Sequence, residues 1–348
     1  MAKVLIAMSG GVDSSVAADI IKAQGYETAG AIMSLFGDEG SGKPEDIEDA
    51  RRVADNLNIP FYVFELDEDF KKYVITDFVE AYKNGLTPNP CIVCNKHIKF
   101  GSFIRKADEL GFDYVATGHY AKVEFNESTQ RYVVKKADDE TKDQSYMLWT
   151  LSQAQLSRVI LPLGGLSKEE ARDSAREAGF DNADKHDSQD ICFVPDGEYA
   201  AFIERWCGKK FPKGEFVNKA GEFIAEHKGL INYTIGQRKG LGIAAPAPYY
   251  VLKKDAEANK VILGSNDDLF LDTLEATDVN FISIEKLTEP LSVKAKVRYK
   301  QKETEATIYP LENGDVKVVF DTPQRAITPG QSVVFYDGDT VLGGGFIK

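Results

Sequence analysis

Cysteine is scarce in this sequence, and positive charges are outnumbered by negative ones. Four cysteines among 348 residues are too few for the disulfide framework of a secreted protein, so we expect a chain that works in the reducing cytoplasm. No apolar run reaches the roughly 18 residues that a membrane helix needs, and no membrane partner is expected. The formal net charge of −13 argues against a protein that wraps nucleic acid with its whole surface, although it is compatible with a local basic groove.

Internal repeats and low-complexity tracts are also absent, and strand and helix patterns alternate through the first half of the chain. Strand-like apolar runs occur at 4–8, 26–33, 61–64 and 113–117, with helical spacing of apolar residues between them. The first run is followed at once by glycines and Asp13, which predicts a buried strand rather than a signal peptide. Alternation of this kind predicts an α/β fold, with a doubly wound parallel sheet covered on both faces.

Beyond about residue 205 the pattern changes to short alternating strands separated by turn residues, and Asn313-Gly314 predicts a hairpin. A chain of this length is expected to form two or three domains. We therefore predict an α/β domain at 1–205, a small connecting domain at 206–270 and a C-terminal β-barrel at 271–348. Within the first domain, Ser167 and Glu170 have the spacing of a capping box and predict the start of a helix.

The stretch SGGVDSS, residues 9–15, lies directly between the first predicted strand and its helix. Its two glycines allow a sharp turn that presents bare amides, and the helix N-terminus adds its positive dipole end. Ser9, Ser14 and Ser15 supply hydroxyl donors. The simpler alternative is an ordinary strand-to-helix turn with Asp13 as the N-cap, but three hydroxyls and an Asp in this context favour a pyrophosphate-binding loop.

A second glycine-rich stretch, GDEGSGK at 37–43, has the spacing of a Walker A loop. The next residue is Pro44, where that loop requires a Ser or Thr hydroxyl for magnesium. Proline also lacks a backbone donor, although it suits the first turn of a helix. We interpret this stretch as a loop near the nucleotide site rather than as the site itself.

The cysteines do not have the pattern of a structural zinc site. Cys91 and Cys94 form one CxxC pair, but no second pair closes a four-ligand set, and the four histidines are scattered along the chain. Asn95 is a candidate N-cap for a helix near 96–110, with Lys96 and Lys99 in its first turns. That setting predicts a lowered pKa for the Cys94 thiol.

The other two cysteines have different surroundings. Cys192 lies in DICF, where apolar neighbours are expected to shield a persulfide from water. Cys207, in ERWCGKK, is interpreted as a small buried hydrophobic residue.

SGGVDSS resembles the PP-loop of the N-type ATP pyrophosphatases, which cleave ATP to AMP and pyrophosphate while they adenylate a substrate. Further segments resemble the tRNA-specific 2-thiouridylases, and this likeness extends from residue 3 to the last strand. In chain order they are TPNPCIVCNKHIKFG, ATGHYAK, KDQSYML, DSQDICF, TIGQRKGLG, VRYKQ and ITPGQSVVFY. The resemblance implies ATP-dependent and Mg²⁺-dependent adenylation of carbon 2 of the wobble uridine, followed by sulfur transfer that gives 2-thiouridine.

For the family, the resemblance implies that Cys192 carries the persulfide and that Cys94 is its catalytic partner, with a transient disulfide between them. Cys91 stands where many family members carry an Asp that is a proposed acid or base. Cys91, Cys94 and Cys192 are therefore also candidate ligands of a 4Fe–4S cluster. Another PP-loop enzyme, such as a GMP synthetase, would not need these cysteines, and no glutaminase-like segment is present.

The resemblance also implies two sets of binding residues. The residues expected around ATP are Ala7, Met8, Ser9, Gly10, Gly11, Val12, Asp13, Ser14, Met33 and Gly118. The residues expected at the target base or elsewhere on tRNA are Asn89, Pro90, Cys91, His119, Lys142, Asp143, Gln144, Arg298, Tyr299 and Gln331. The implied partners are tRNA and a persulfide sulfur donor, either a cysteine desulfurase or a relay protein.

The stretch VKAKVRYK, residues 293–300, suggests where an acidic protein could hold RNA. Strand alternation would place Lys294, Lys296, Arg298 and Lys300 on one face, opposite an apolar face. Such a basic row fits contact with backbone phosphates, and solvated lysines are the equal alternative. Arg238 and Lys239, in a glycine-flanked loop, favour RNA contact.

Overall fold

The computed structural model describes residues 1–36, 42–185 and 191–348 of the chain. The helices are α1 Val12–Ala23, α2 Pro44–Asn56, α3 Asp67–Phe70, α4 Thr76–Lys83, α5 Pro90–Cys94, α6 Phe103–Glu109, α7 Gln153–Leu156, α8 Lys168–Glu177 and α9 Tyr199–Cys207. Two π-helical segments, Lys71–Ile75 and Asn95–Ser102, join α3 to α4 and α5 to α6. Short 3-10 turns occupy Ser145–Leu148, Leu230–Asn232 and Asp267–Leu269.

Seventeen strands occur in the described part of the chain. They are β1 Lys3–Ala7, β2 Glu27–Ser34, β3 Phe61–Glu65, β4 Tyr114–Thr117, β5 Lys122–Asn126, β6 Arg131–Lys135, β7 Val159–Ile160, β8 Gly214–Val217, β9 Phe223–His227, β10 Tyr250–Asp255, β11 Lys260–Gly264, β12 Phe270–Phe281, β13 Leu291–Lys296, β14 Thr304–Pro310, β15 Val316–Arg325, β16 Ser332–Asp337 and β17 Thr340–Ile347.

The N-terminal sheet is parallel and has the order β3-β2-β1-β4-β7. Along β1, Leu5 and Ala7 pack into one hydrophobic core, whereas Val4 and Ile6 pack into another on the opposite face. A central strand that is apolar on both faces must be covered on both, which confirms the predicted doubly wound arrangement. The capping box of α8 is confirmed too, because Ser167 and Glu170 each bond the other's backbone.

The middle sheet is mixed, in the order β10-β11-β8-β9, with β11 parallel to β8. The C-terminal strands form an antiparallel barrel in the order β12-β15-β14-β13-β16-β17, closed by pairing of β12 with β17. Closure leaves no free edge among these six strands. The predicted β-barrel is therefore confirmed, and the Asn313-Gly314 turn joins β14 to β15 as expected.

One hairpin was missed by the sequence patterns. β5 and β6 leave the parallel sheet, and β6 pairs with β17 of the barrel through Thr340 and Val341. The side chain of Asn126 accepts the amides of Ser128 and Thr129 to form its turn. This hairpin links the N-terminal parallel sheet to the barrel.

Within the described residues, no helix is long and apolar enough to cross a membrane.

The predicted basic row on 293–300 is wrong in its second half. β13 ends at Lys296, so strand alternation does not continue through Arg298 and Lys300. Val293, Ala295 and Val297 are buried as expected. Two residues after the end of the strand, the Arg298 guanidinium turns inward. It donates to the carbonyl oxygens of Ile235 (3.3 Å) and Ala326 (2.9 Å) and to the Thr328 hydroxyl (2.7 Å).

Candidate active site

The SGGVDSS loop joins the carboxyl end of β1 to the N-terminus of α1, where open parallel sheets place their ligands. Gly10 has φ +73°, and a Cβ there would lie 2.7 Å from the carbonyl oxygen of Asp46, so only glycine fits. Gly11 is the N-cap and offers no side chain to the first helical amides. The amides are therefore left for an anion, as predicted for a phosphate loop.

Asp13 is not the N-cap, so the simpler alternative for this residue is wrong. It lies in the first turn of α1, and its carboxylate accepts hydrogen bonds from the Tyr120 hydroxyl (2.7 Å) and the Lys168 ammonium (2.7 and 2.9 Å). The carboxylate is thus held from outside its own helix.

The serine hydroxyls have unequal roles. The Ser14 hydroxyl accepts the amide of Ser9 (3.0 Å) and donates to the carbonyl of Gly11 (3.0 Å). The Ser15 hydroxyl donates to the same carbonyl (3.1 Å) and is fully buried, so it supports the loop and does not face a ligand. Ser9 is exposed and keeps its hydroxyl at the surface of the loop.

Two residues that the sequence patterns missed hold the loop from behind. The Asn182 amide donates to the carbonyl of Gly10 (3.1 Å) and to the Ser15 hydroxyl (3.0 Å). Lys185 reaches the carbonyl of Gly10 (3.3 Å) and the carboxylates of Asp46 and Asp49. No local motif marks Asn182 or Lys185, because both meet the loop from far along the chain.

Several of the expected ATP residues are core residues. Met8 and Val12 are buried in the core on one face of the sheet, and Ala7 and Met33 lie in the core on the other. Met8 and Val12 are at most 2% exposed, so they can offer a ligand only their main chain. Ala7 and Met33, at 8%, keep a small exposed surface at the end of their strands.

The ATGHY segment, residues 116–120, touches both the phosphate loop and the π-helical segment that continues the cysteine-bearing helix. A Cβ on Gly118 would lie 2.8 Å from the backbone of Asp13 and Ser14, so glycine allows direct packing against the loop. The next residue, His119, has its ring centroid 5.7 Å from that of Phe100. The segment therefore connects the phosphate loop to the region around the CxxC cysteines.

His119 is buried and is neutral at pH 7. Its Nδ1 lies 2.7 Å from the Thr117 hydroxyl. Burial and, to a lesser extent, the charge of Lys99 lower the pKa of His119 well below its ordinary value.

The CxxC pair lies on α5, whose N-cap is Asn89. The Asn89 side chain accepts the amide of Cys91 (3.1 Å), and Pro90 occupies the first helical position. The predicted N-cap at Asn95 is wrong, because helix begins five residues before it and continues through Asn95 into the π-helical segment. Asn95 instead donates to the carbonyl of Met147 (3.0 Å).

The π-helical segment places an extra residue in the turn after Cys94. Such segments leave poorly paired carbonyls and often mark functional sites. Here the Gln155 amide donates to the carbonyls of Lys96 (3.1 Å) and Phe100 (2.7 Å). The widened turn is therefore held by a side chain from α7.

The charge of Lys99 and the three thiols act on one another. Burial raises the pKa of Cys94 to about 12. Desolvation by the surrounding protein raises the pKa of Cys192, to about 11, and that of Cys91, although both side chains keep an exposed surface. The positive charge of Lys99 opposes burial at all three thiols. The predicted low pKa of Cys94 is thus wrong, because Cys94 is buried within a continuous helix and not exposed at a helix N-terminus.

Cys192 is anchored by the residue that follows it. Cys192 itself is exposed, whereas the Phe193 ring is buried between Phe70 (5.6 Å), Phe78 (5.3 Å) and Phe202 (5.2 Å). The apolar surroundings expected for this cysteine are present beneath it. The preceding residues 186–190, like residues 37–41 of the Walker-like stretch, lie outside the described residues.

All four cysteines are free thiols, and Cys207 is only partly buried. Within residues 1–36, 42–185 and 191–348, no three His, Cys, Asp or Glu side chains converge as a metal-binding group. The role of Cys91, Cys94 and Cys192 as ligands of a 4Fe–4S cluster therefore stays a prediction.

The KDQ stretch lies behind the ATGHY segment. The side-chain oxygen of Gln144 accepts the backbone amide of Tyr120 (3.0 Å), and the backbone amide of Gln144 donates to the Tyr120 carbonyl (2.8 Å). Asp143 is buried and accepts the amides of Ala137 and Ser145 (3.1 Å each). Both side chains have structural partners, whereas their contact with tRNA stays a prediction, as does that of Lys142.

The C-terminal candidates lie where the barrel meets the other domains. Gln331 donates to the carbonyl of Thr87 (2.8 Å), just before the CxxC helix. The Tyr299 ring lies 6.0 Å from that of Tyr146, and the Lys296 ammonium lies over both rings. The described structure thus brings Gln331 near the cysteine-bearing segment and turns Arg298 inward.

Three protein-family models match the chain. The description "tRNA methyl transferase HUP domain" matches residues 2–196, "tRNA methyl transferase PRC-barrel domain" matches residues 200–265, and "Aminomethyltransferase beta-barrel domain" matches residues 271–347.

Curated relatives match the whole chain. The tRNA-specific 2-thiouridylase MnmA of Acetivibrio thermocellus is 50% identical over 355 residues, covering 99% of each chain. The protein of the same name from Clostridioides difficile strain 630 is 51% identical over 353 residues, covering 99% of this chain and 98% of the relative. The names of these relatives specify thiolation, whereas the descriptions of two matching protein families mention methyl transfer.

Among solved structures, the U34-tRNA thiolase NcsA from Methanococcus maripaludis with its 4Fe–4S cluster has a TM-score of 0.35 and 20% identity. The match covers 59% of this chain and 66% of that one. A likeness of this size adds nothing to the functional assignment.

Proposed function

Because the chain belongs to the tRNA-specific 2-thiouridylase family, we propose that it replaces the carbon-2 oxygen of the wobble uridine in tRNA with sulfur. ATP is cleaved to AMP and pyrophosphate in the same reaction, with Mg²⁺ as the counterion of the phosphates. The observation that carries this proposal is the ATGHY segment, which packs against the phosphate loop at Gly118 and, through His119, against Phe100 in the π-helical segment that continues the cysteine-bearing helix. An adenylating site and a thiol site are thereby parts of one centre.

The first half-reaction belongs to the SGGVDSS loop. Its bare amides and the α1 dipole bind the polyphosphate, and the exposed Ser9 hydroxyl adds a donor. The uridine oxygen attacks the α-phosphorus and pyrophosphate leaves. Carbon 2 then carries AMP, which is a far better leaving group than oxide.

The second half-reaction belongs to Cys192 and Cys94. The terminal sulfur of a Cys192 persulfide attacks carbon 2, and AMP leaves with the original oxygen. The Cys94 thiolate then attacks the Cys192 sulfur, which breaks the sulfur–sulfur bond and leaves the transferred sulfur on the base. A Cys94–Cys192 disulfide forms, so an external thiol must reduce it before the next turnover.

The partners follow from this sequence of steps. A cysteine desulfurase or a relay protein supplies the persulfide to the exposed Cys192. The target base must leave its stack to reach Asn89, Pro90 and Cys91 at the start of α5. The exposed side chains of Arg238, Lys239 and Lys300 contact tRNA phosphates, whereas the inward-facing Arg298 acts on tRNA only through the shape of the domain junction.

The test is nucleoside mass spectrometry of tRNA after incubation with the protein, ATP, Mg²⁺ and a persulfide donor. Wild-type protein should form 2-thiouridine, whereas Cys94→Ser and Cys192→Ser should each form none. Cys91→Ser should keep substantial activity, and Cys207→Ser is the matched control that should behave as wild type. ATP–pyrophosphate exchange with tRNA should survive in all four variants, because no cysteine lies in the phosphate loop.

Two outcomes would contradict the proposal. Absence of 2-thiouridine from the wild-type reaction would remove the function itself. Equal loss of activity in Cys91→Ser, Cys94→Ser and Cys192→Ser, in step with iron content, would replace the persulfide route with a cluster route.

A further inference from the structure

Lys168 is unusual for a lysine both in its position on a helix and in its burial. It occupies the first position of α8, where the helix dipole disfavours a cation, and it is one of the few lysines in the described chain that are buried. A side chain kept in such a place needs a compensating partner, and conflicts of this kind are expected at functional sites.

The compensating partner is the carboxylate of the phosphate loop. The Lys168 ammonium donates to both oxygens of Asp13, at 2.7 and 2.9 Å, and the Tyr120 hydroxyl donates to Oδ1 at 2.7 Å. The Lys168 side chain is 11% exposed and that of Asp13 is 30% exposed. The cation therefore lies deeper than the anion, on the side away from solvent.

The three residues are each fixed by their own segment. The Ser167–Glu170 capping box fixes the start of α8, and the Lys168 amide also donates to Asp139 (3.3 Å). Gln144 fixes the backbone of Tyr120 through two hydrogen bonds. The arrangement around Asp13 is thus built from three separate parts of the chain.

An uncompensated carboxylate in this position would oppose the proposed ligand. Asp13 lies in the first turn of the helix whose N-terminus is to bind the polyphosphate of ATP, and like charges at close range repel each other in a partly enclosed site. We propose that Lys168 is a positioning residue that neutralises and orients Asp13, so that the phosphate loop accepts ATP. This inference rests on the proposed function, since it presumes that the loop binds ATP.

The experiment is calorimetric measurement of the ATP dissociation constant for the full-length protein and its variants. Lys168→Met should weaken ATP binding by about tenfold or more, because the Asp13 charge then faces the phosphates alone. Lys168→Arg, which keeps the charge, should restore much of the affinity. Lys122→Met is the matched control, since Lys122 is ion-paired with Asp138 (2.6 Å) and should bind ATP as wild type does.

A second comparison separates neutralisation from direct phosphate contact, and it also serves if Lys168→Met does not fold. If Lys168 acts through Asp13, adding Lys168→Met to Asp13→Asn should change the dissociation constant less than about threefold. A large further loss in the double variant would overturn the inference, as would unchanged ATP affinity in a folded Lys168→Met. Failure of the wild-type protein to bind ATP would instead overturn the proposed function.

Discussion

At the scale of single residues, the positive charge of Lys99 opposes the effect of desolvation on the pKa values of the three thiols. Burial raises the pKa of Cys94 to about 12, and desolvation by the surrounding protein raises that of the exposed Cys192 to about 11, so almost all of both thiols are protonated at neutral pH. Only the thiolate attacks sulfur. Lys99 favours the thiolate at both residues and at Cys91, and it adds to the larger effect of burial in lowering the pKa of His119.

We therefore predict that Lys99→Met lowers the rate of sulfur transfer at neutral pH by about tenfold, the equivalent of one pKa unit. Because the thiol pKa values are raised, the wild-type rate should rise with pH from 7 to 9 without a plateau, and the variant should need a still higher pH. Single-turnover thiolation and iodoacetamide labelling of Cys94, each against pH, measure this. Lys96→Met, on the same helix and exposed, is the control; identical pH profiles for wild type and Lys99→Met would exclude a role for the Lys99 charge.

At the scale of elements, Asn89 has two candidate roles that a pair of substitutions can separate. As the N-cap of α5 it accepts the amide of Cys91, and its amide group also lies 3.6 Å from the sulfur of Met147. Asn89→Ala should cost about 1 kcal/mol of stability through the lost cap. Asn89→Asp keeps an acceptor and should leave the urea midpoint unchanged.

If the Asn89 amide also contacts the target base, Asn89→Asp should still thiolate tRNA several-fold more slowly, because the carboxylate cannot donate. Initial rates of 2-thiouridine formation measure this alongside the urea titration. Full activity in Asn89→Asp would show that Asn89 is a cap and nothing more.

What the sequence predicts at this scale depends on how local the cause is. β1 and the capping box of α8 were predictable, because a continuous apolar run and a three-residue spacing are both visible in neighbouring residues of the sequence. The N-cap was misplaced at Asn95. Both Asn89 and Asn95 are suited to cap a helix, and only the structure shows that the helix starts after Asn89 and continues through Asn95. The hairpin of β5 and β6 was missed because it is completed by β17, about 200 residues away.

The candidate site divides in the same way. The phosphate loop and the cysteines were identified from contiguous motifs. Asn182, Lys185 and Lys168 carry no motif, because each acts on the loop from more than 150 residues away. The pKa direction of Cys94 was also out of reach, since it depends on burial by other segments.

At the scale of the whole molecule, buried and partly buried hydrogen bonds join the barrel to the N-terminal domain. The Trp149 indole donates to the Ser332 hydroxyl (3.0 Å), the Tyr146 hydroxyl donates to the Ser332 carbonyl (2.8 Å), and Asn280 donates to the carbonyl of Trp149 (2.7 Å). Lys254 of the middle domain donates to the carbonyl of Leu86 (3.1 Å). Under the proposed function, a tRNA bound to the barrel is held in a fixed position relative to the thiols.

Arg298 belongs to this junction, and its substitution should act on stability before it acts on RNA. The guanidinium joins Ile235 of the middle domain to Ala326 and Thr328 of the barrel, so Arg298→Met leaves buried acceptors unpaired and should cost roughly 2–4 kcal/mol. Lys300 is exposed, and Lys300→Glu should instead leave the melting temperature unchanged, weaken tRNA binding and reduce the salt slope by about one. Lys294→Met, at an exposed ion pair with Glu305 (3.7 Å), is the control for both measurements. If Arg298→Met kept the wild-type melting temperature but lost tRNA affinity with a smaller salt slope, its guanidinium would be a phosphate contact after all.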